Sequence, residues 1–404
     1  MPKKTATSNV QLRVLLATCI LNLIMAGLIL NTIGMYYRPF EQEFHVTRGI
    51  VALVSTLTGI GSAIGLLVAD YLIRWLGPKR ILTASLLISA VSAFLISSCH
   101  SMTMLFIGFL ILGICQPLSY ALITPVLLAR WFHLQMVKVL GIATALTALG
   151  GMLFSPLVNW MISSFNWRIS WVAEGTIILV LVLPCVRLLI PSDSDQKTVQ
   201  ESESPHGIEP KRPVYSSLIS IFIVAGALYF VSGIAVHINA FGLSKALSGT
   251  QSAFLNSAFM IGAFLGKLTI GWFLSKLPNR MVTTVYVLLA TLGMLGMILS
   301  HGFYLLVVFV LMIGLGQAIV LVQVPLILQE HLAPYQYTRV LSRLILVGTI
   351  ATAFANAANG FIFDYFQNYQ YQLLLNVLLY VFAGLILQKS LRTEEKKFRN
   401  REYK

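Results

Sequence analysis

Phe259-Met260-Ile261-Gly262-Ala263-Phe264-Leu265-Gly266-Lys267-Leu268-Thr269-Ile270-Gly271-Trp272 is an apolar run interrupted by a single charge, Lys267. It reads as part of a membrane-spanning helix. A charged group costs roughly 2.5–3.5 kcal/mol at the centre of a spanning helix on insertion scales. Such a residue therefore faces a bundle interior or a water-filled path, where it pairs with something. An ammonium in that position is a candidate binding site for an anion.

Working outward, the same pattern fills the chain. The 404 residues are 57% hydrophobic and 10% charged, against about 25% charged in an ordinary soluble domain. A mean hydropathy of +0.83 is too apolar for a soluble fold. Runs of about 20 apolar residues, the length that crosses a hydrocarbon core of roughly 30 Å, fall near 12–36, 48–73, 81–99, 103–129, 137–163, 169–190, 214–240, 249–275, 281–300, 303–329, 339–363 and 371–389. The pattern predicts an all-α polytopic membrane protein with twelve transmembrane helices. A transmembrane β-barrel would instead alternate apolar and polar residues over about 10 positions. The stretch from Met1 to Arg13 has no small-residue cleavage site after a short apolar region, so the first span is expected to stay attached.

The net charge of +14 is topological rather than a nucleic-acid footprint. Arg74, Lys79, Arg80, Arg130, Lys138, Arg187, Lys197, Lys211, Arg212, Lys276, Arg280, Arg339 and the tail from Lys389 to Lys404 fall on one side of the spans. Arg38, Arg48, Arg168 and Lys245 fall on the other. The positive-inside rule then places both termini in the cytoplasm. The cysteines Cys19, Cys99, Cys115 and Cys185 have no metal-ligand or disulfide spacing and read as small packing residues.

One segment, 191–213, breaks the apolar pattern. It is polar, lacks aromatics and contains Ser192-Asp193-Ser194-Asp195 and Lys211-Arg212-Pro213, which predicts a flexible cytoplasmic linker. It separates a six-helix half at 1–190 from a second at 214–404 that ends in a basic tail. The halves resemble each other. Gly113-Ile114-Cys115-Gln116 recurs as Gly314-Leu315-Gly316-Gln317, 201 residues on (317 minus 116), and Lys138 aligns with Arg339 and Phe165 with Phe366 at the same offset. Leu76-Gly77-Pro78-Lys79-Arg80 has a shortened partner in Leu277-Pro278-Asn279-Arg280. A parallel repeat of six spans is the internal symmetry of the major facilitator fold, whose site sits near the midplane where the repeats meet.

Several motifs resemble the monocarboxylate transporter and oxalate–formate antiporter branch of the major facilitator superfamily, in both halves and in order. They are Tyr37-Arg38-Pro39 with Glu43-Phe44, Thr47-Arg48 and Val51; Arg130-Trp131-Phe132 with Gly141-Ile142-Ala143; and Asn166-Trp167-Arg168. In the second half they are His237-Ile238 with Gly242-Leu243-Ser244, Gly266-Lys267 with Gly271-Trp272, and Gly360 to Asp364 with Tyr369. The resemblance implies that Lys267 stands where the family has a span-eight arginine, keeping the charge but losing the planar fork that grips a carboxylate. The Asp that proton-coupled relatives place one turn earlier is Ala263, and the lysine of span one is matched by Asn31. The second cation of oxalate-type carriers falls near Gly348, with Arg343 the nearest substitute. The Asp of the loop after span two is replaced by Arg74, with Asp70 one turn before it. Gln135-Met136-Val137 replaces the Arg-Arg-Gly that follows Trp-Phe.

Each candidate has a structural alternative. Lys267 is the expected carboxylate-binding cation; otherwise it snorkels toward the headgroups, being nine residues (roughly 14 Å) from Lys276. Asn256 shares its helical stripe and could line the same cavity. Arg343, one turn into span eleven, either contributes to the site or snorkels. Gln116 and Gln317, at equivalent places in spans four and ten, could line a path or bond between helices. Asn31, Tyr36 and Tyr120 are further lining candidates. Glu174, a carboxylate inside an apolar span, could carry a proton or pair with Arg168. His237 could titrate or make an interfacial hydrogen bond. Asp70 and Arg74, four apart, read as a gate latch or a plain helix pair. Gly59-Ile60-Gly61 and Gly262/Gly266 read as close helix packing.

The expectation is a secondary transporter of a small organic anion, a monocarboxylate above all, acting as a monomer in the cell membrane by alternating access. It would use a proton or an exchanged anion, with membrane lipid and no nucleic acid as its surroundings. A lone central cation favours a monoanion over a dianion such as oxalate. The rivals are efflux of amphipathic drugs or metabolites and a non-transporting anion sensor. No Walker loop, metal cluster or nucleophile–base set is present in the sequence, so no enzyme chemistry, cofactor or metal is expected.

Overall fold

The computed structural model describes residues 2–132, 136–191, 215–331 and 334–402, and no strand occurs among them. The predicted linker lies outside the described residues, apart from its first residue. Twelve helices among the described residues are long and apolar enough to cross a membrane: Asn9–Phe44, Arg48–Ala69, Pro78–Ser97, Met102–Trp131, Val139–Ser164, Trp167–Leu189, Ile219–Ser244, Gly249–Leu274, Asn279–Leu299, Phe303–Leu328, Val340–Phe366 and Gln370–Leu391. They are called spans one to twelve below. In lipid each backbone polar group must be satisfied within its own segment, which selects helices for such sequences. Chain contacts divide the molecule into two compact units, Met1–His206 and Gly207–Lys404.

In unit 1, spans two and four cross with their backbones in contact. A Cβ on Gly61 would lie 2.4 Å from the Leu110 carbonyl oxygen, and one on Gly113 would lie 2.2 Å from that of Thr58. Span one packs as tightly on span five, where Gly27 faces Gly150. In unit 2, spans eight and ten repeat the first crossing at the same offset of 201. A Cβ added to Gly262 would lie 2.1 Å from the Leu311 carbonyl oxygen, and one added to Gly314 would lie 2.2 Å from that of Phe259. Small residues at these positions let helix backbones approach where apolar solvent gives no hydrophobic drive between helices.

Several spans are not uniform helices. Span one passes through a π-helix at Asn22–Leu30 and a 3-10 turn at Ile33–Tyr36; span seven has a 3-10 turn at Gly233–His237. Spans four and ten each carry a π-turn, at Pro117–Ala121 and Ile319–Gln323. Such interruptions shift the side-chain register and cluster at functional sites. Helix starts are capped locally: Asn166 Oδ1 accepts from Ile169 N at 2.8 Å, and Ser248 and Gln251 form a reciprocal capping box. At the start of span six, Glu43 accepts from Trp167 Nε1 and from an Arg168 guanidinium nitrogen at 2.5 Å, while Arg168 also donates to the Cys99 carbonyl at 2.9 Å. All four cysteines are free thiols.

Candidate functional site

Lys267 follows Gly266 on span eight, at a close crossing with span ten where a Cβ added to Gly266 would lie 2.6 Å from the Leu315 carbonyl oxygen. Lys267 is half-buried and makes no ion pair or hydrogen bond among the described residues. It lies seven residues before Leu274, roughly 10 Å along the helix. Beyond it, Lys276 caps the Trp272 ring with its ammonium 4.3 Å from the centroid, a cation–π contact at the helix end. The terminal lysine is thus engaged on an aromatic face, whereas Lys267 presents an unmatched cation within the span.

Asn256 is buried on the same stripe, eleven residues earlier, which is roughly 16 Å along the axis. That separation exceeds the reach of a small carboxylate, so the two side chains cannot grip one such molecule together. Arg343 is exposed at the start of span eleven. The backbone at Gly348 answers why no second cation stands there. A Cβ would lie 2.4 Å from Cδ2 of the Tyr229 ring, so the phenol fills the volume that a long side chain would need.

Unit 1 gathers other candidates. Tyr36 is fully buried and donates to Glu174 Oε1 at 2.6 Å, while Ser170 Oγ stands 2.7 Å from the same phenol oxygen. Its ring lies 5.1 Å from Trp171 and 5.9 Å from Phe40. Glu174 is 1% exposed, and its Oε2 has no partner among the described residues. The pairing of Glu174 with Arg168, one of the two sequence alternatives, is not what forms: Arg168 sits at the helix start, six residues away, and binds Glu43 instead. Asn31 donates to the Thr147 carbonyl at 2.8 Å, and Gln116 donates to the Tyr120 hydroxyl at 2.8 Å. Gln317 is buried with no hydrogen bond among the described residues. His237 Nε2 stands 3.0 Å from the Asn356 carbonyl oxygen, and its ring is 6.2 Å from that of Tyr369. The Asp70 side chain lies outside the described residues, and Arg74 is exposed.

The structure therefore joins Tyr36 to Glu174 and Gln116 to Tyr120, while Lys267 stands apart from Asn256. Ser170, Trp171 and Tyr229 escaped the sequence reading. Ser170 shares a face with Glu174 at the helical spacing of four, a signal that could have found it; Tyr229 carries no such signal.

A family model described as Major Facilitator Superfamily matches residues 18–254 and 217–403, which together span nearly the whole chain. The chain belongs to the Major Facilitator Superfamily. Its fold agrees: a solved structure of the nucleoside transporter NupG superposes with a TM-score of 0.72 at 15% identity, covering 95% of this chain and 98% of that one. A bacterial homolog of the human lysosomal transporter Spinster, inward-facing and unoccupied, gives 0.75 at 15%, covering 96% and 98%. Within the superfamily the chain resembles the monocarboxylate transporter branch. It is 25% identical over 264 residues to monocarboxylate transporter 13 of Rattus norvegicus and 23% identical over 267 residues to monocarboxylate transporter 11 of Mus musculus. These matches span 62% and 64% of this chain and 58% of each relative's length. Its family and its twelve apolar spans make it a multi-pass membrane protein.

Proposed function

We propose that this major facilitator moves a small monocarboxylate across the cell membrane by alternating access, with Lys267 as the cation that receives the carboxylate. The observation that carries the reading is an ammonium held inside span eight without a partner among the described residues. A cation so placed costs free energy unless an anion visits it. The relatives named as monocarboxylate transporters support this substrate class. A single point charge with three rotatable donors suits one carboxylate group, and the Tyr229 ring at Gly348 leaves no room for a second cation to hold a dianion. Both termini lie in the cytoplasm, in keeping with the basic excess on that side.

Purified protein in proteoliposomes tests the reading with labelled pyruvate and lactate against formate and oxalate. Lys267→Ala is expected to abolish monocarboxylate flux at normal expression. Undiminished flux of these anions through Lys267→Ala would overturn the assignment, and selective efflux of amphipathic cations by the wild type would favour the drug-efflux alternative.

A further inference from the structure

The first and last spans of each unit carry a matched set of buried polar groups. Tyr36 ends the 3-10 turn of span one, and His237 ends that of span seven 201 residues on. On the last spans, Ser170 and Glu174 have Gln372 and Asn376 as counterparts at an offset of 202, one residue being gained in the turn before span twelve. All six side chains are buried. Only the set in unit 1 contains a carboxyl. The opposite asymmetry holds at span eight, where Lys267 has the aliphatic Leu66 as its counterpart. Each unit thus carries one charged residue type at a position that is neutral in the other.

Among the described residues, the surroundings of Glu174 are otherwise without charge. The Trp171 ring lies tilted against that of Tyr36, with Phe109 edge-on to the indole at 5.2 Å. Ala93 and Phe94 of span three press on Gly175. Among its described side chains span five brings no titratable group, and Pro78–Ser97 brings only Lys79 and Arg80 at its far end. Glu43 and Arg168 bind each other nearer the helix start. Tyr36 is thus the titratable side chain that touches the carboxyl.

Among the described residues, Glu174 Oε2 and the indole nitrogen of Trp171 one turn away stay unmatched in unit 1, as do the side-chain amide atoms of Gln372 and Asn376 in unit 2, neither of which can ionise. A carboxylate at Glu174 lacks a counter-cation, and a carboxylic acid lacks an acceptor for its proton. A buried polar group left open in a native fold calls for an explanation.

We infer that Glu174, oriented by Tyr36 and Ser170, is the site that binds and releases a co-transported proton. The inference rests on the reading of Lys267 as the anion site. Loading adds one carboxylate at Lys267 and one proton at Glu174, which turns the carboxylate of Glu174 into the acid. The loaded and empty carriers then bear the same net charge, so neither return step moves charge against the membrane potential.

Two measurements on the full-length protein test it. In proteoliposomes, one proton per anion lets a gradient of one pH unit sustain about a tenfold accumulation of pyruvate. In Glu174→Gln the ratio of pH-driven uptake to counterflow is expected to collapse, with accumulation falling to that seen without a gradient. The amide Asn376 already stands at the equivalent buried place, so this fold accommodates the exchange. An unchanged ratio, a parallel fall in both rates, or no response of the wild type to the gradient would overturn the inference. The second measurement needs no transported anion: infrared difference spectra across a pH titration should show a carboxyl band present in the wild type, missing in Glu174→Gln and displaced in Tyr36→Phe. Absence of a titrating band assignable to Glu174 overturns proton binding there. Failure of carboxylate flux with that band intact removes the anion assignment instead.

Discussion

Lys267 and Leu66 stand at one place in two copies of the same helix crossing. Leu66 follows Gly65, whose added Cβ would lie 2.3 Å from the Ile114 carbonyl oxygen; Lys267 follows Gly266, whose added Cβ would lie 2.6 Å from that of Leu315. The crossing therefore forms with an aliphatic side chain at this position in one unit and an ammonium in the other. Lys267→Leu is expected to keep or raise the melting temperature, because it removes an unmatched cation from an apolar span. Carboxylate affinity should fall by the worth of a charge-assisted hydrogen bond, about 1.5–3 kcal/mol or roughly ten- to a hundred-fold. Thermal unfolding in detergent with and without pyruvate reads both effects. A strong loss of stability in the ligand-free protein would show that Lys267 holds the fold together.

The crossings themselves set the next expectation. A methyl on Gly113 would sit 2.2 Å from the Thr58 carbonyl oxygen and a methyl on Gly314 2.2 Å from that of Phe259, so the backbones must separate to admit either. Gly113→Ala and Gly314→Ala should each destabilise by about 1–3 kcal/mol, the usual cost of overpacking. Gly141 has open space around its added Cβ, and Gly141→Ala serves as the control. Unfolding midpoints of the three purified variants decide the matter. Equal midpoints for Gly314→Ala and Gly141→Ala would remove the close-packing account.

How far the sequence carried this description follows from the range of each signal. Hydropathy is a property of contiguous residues, so most spans could be read to within a few positions, and Gly59-Ile60-Gly61 and Gly262/Gly266 marked the close crossings. Span one runs to Phe44, eight residues past its expected end at 36, because the polar stretch after Tyr36 continues the helix. The repeat was legible because Gln116 and Gln317 keep one offset. The interruptions at Asn22–Leu30 and Ile33–Tyr36 were not, since that run is as apolar as an unbroken helix and tertiary packing selects the register. Glu174 was visible as a carboxyl out of place, but its partner Tyr36 lies 138 residues away, and pattern in one chain gives no distance across a bundle. Arg168 was the nearer candidate along the helix, and it lost because Glu43, Trp167 and the Cys99 carbonyl converge on the helix start. The vacancy of cations at Gly348 was legible, and the occupant of that volume was not.

Gly348 and Tyr229 supply the sharpest test of charge selection. The ring atoms Cδ2 and Cε2 of Tyr229 would lie 2.4 and 2.5 Å from a Cβ on Gly348, so glycine and phenol are two halves of one fit. Gly348→Lys alone must push the ring aside and is expected to lower stability by about 1–3 kcal/mol. Tyr229→Ala alone opens a cavity and should cost about 3–5 kcal/mol at most, less because the ring is half-buried. Combined, the lysine stem enters the space the ring vacates, and the costs should fall short of their sum by about 0.5–3 kcal/mol, the range of coupling between residues in contact. The double variant then carries a second cation in span eleven. Its oxalate affinity should rise relative to pyruvate by about tenfold or more, given that a hydrogen bond to a charged group contributes about 1.5–3 kcal/mol. Additive stability losses would refute the shared volume, and an unchanged oxalate-to-pyruvate ratio in a well-folded double variant would show that position 348 does not face the transported anion.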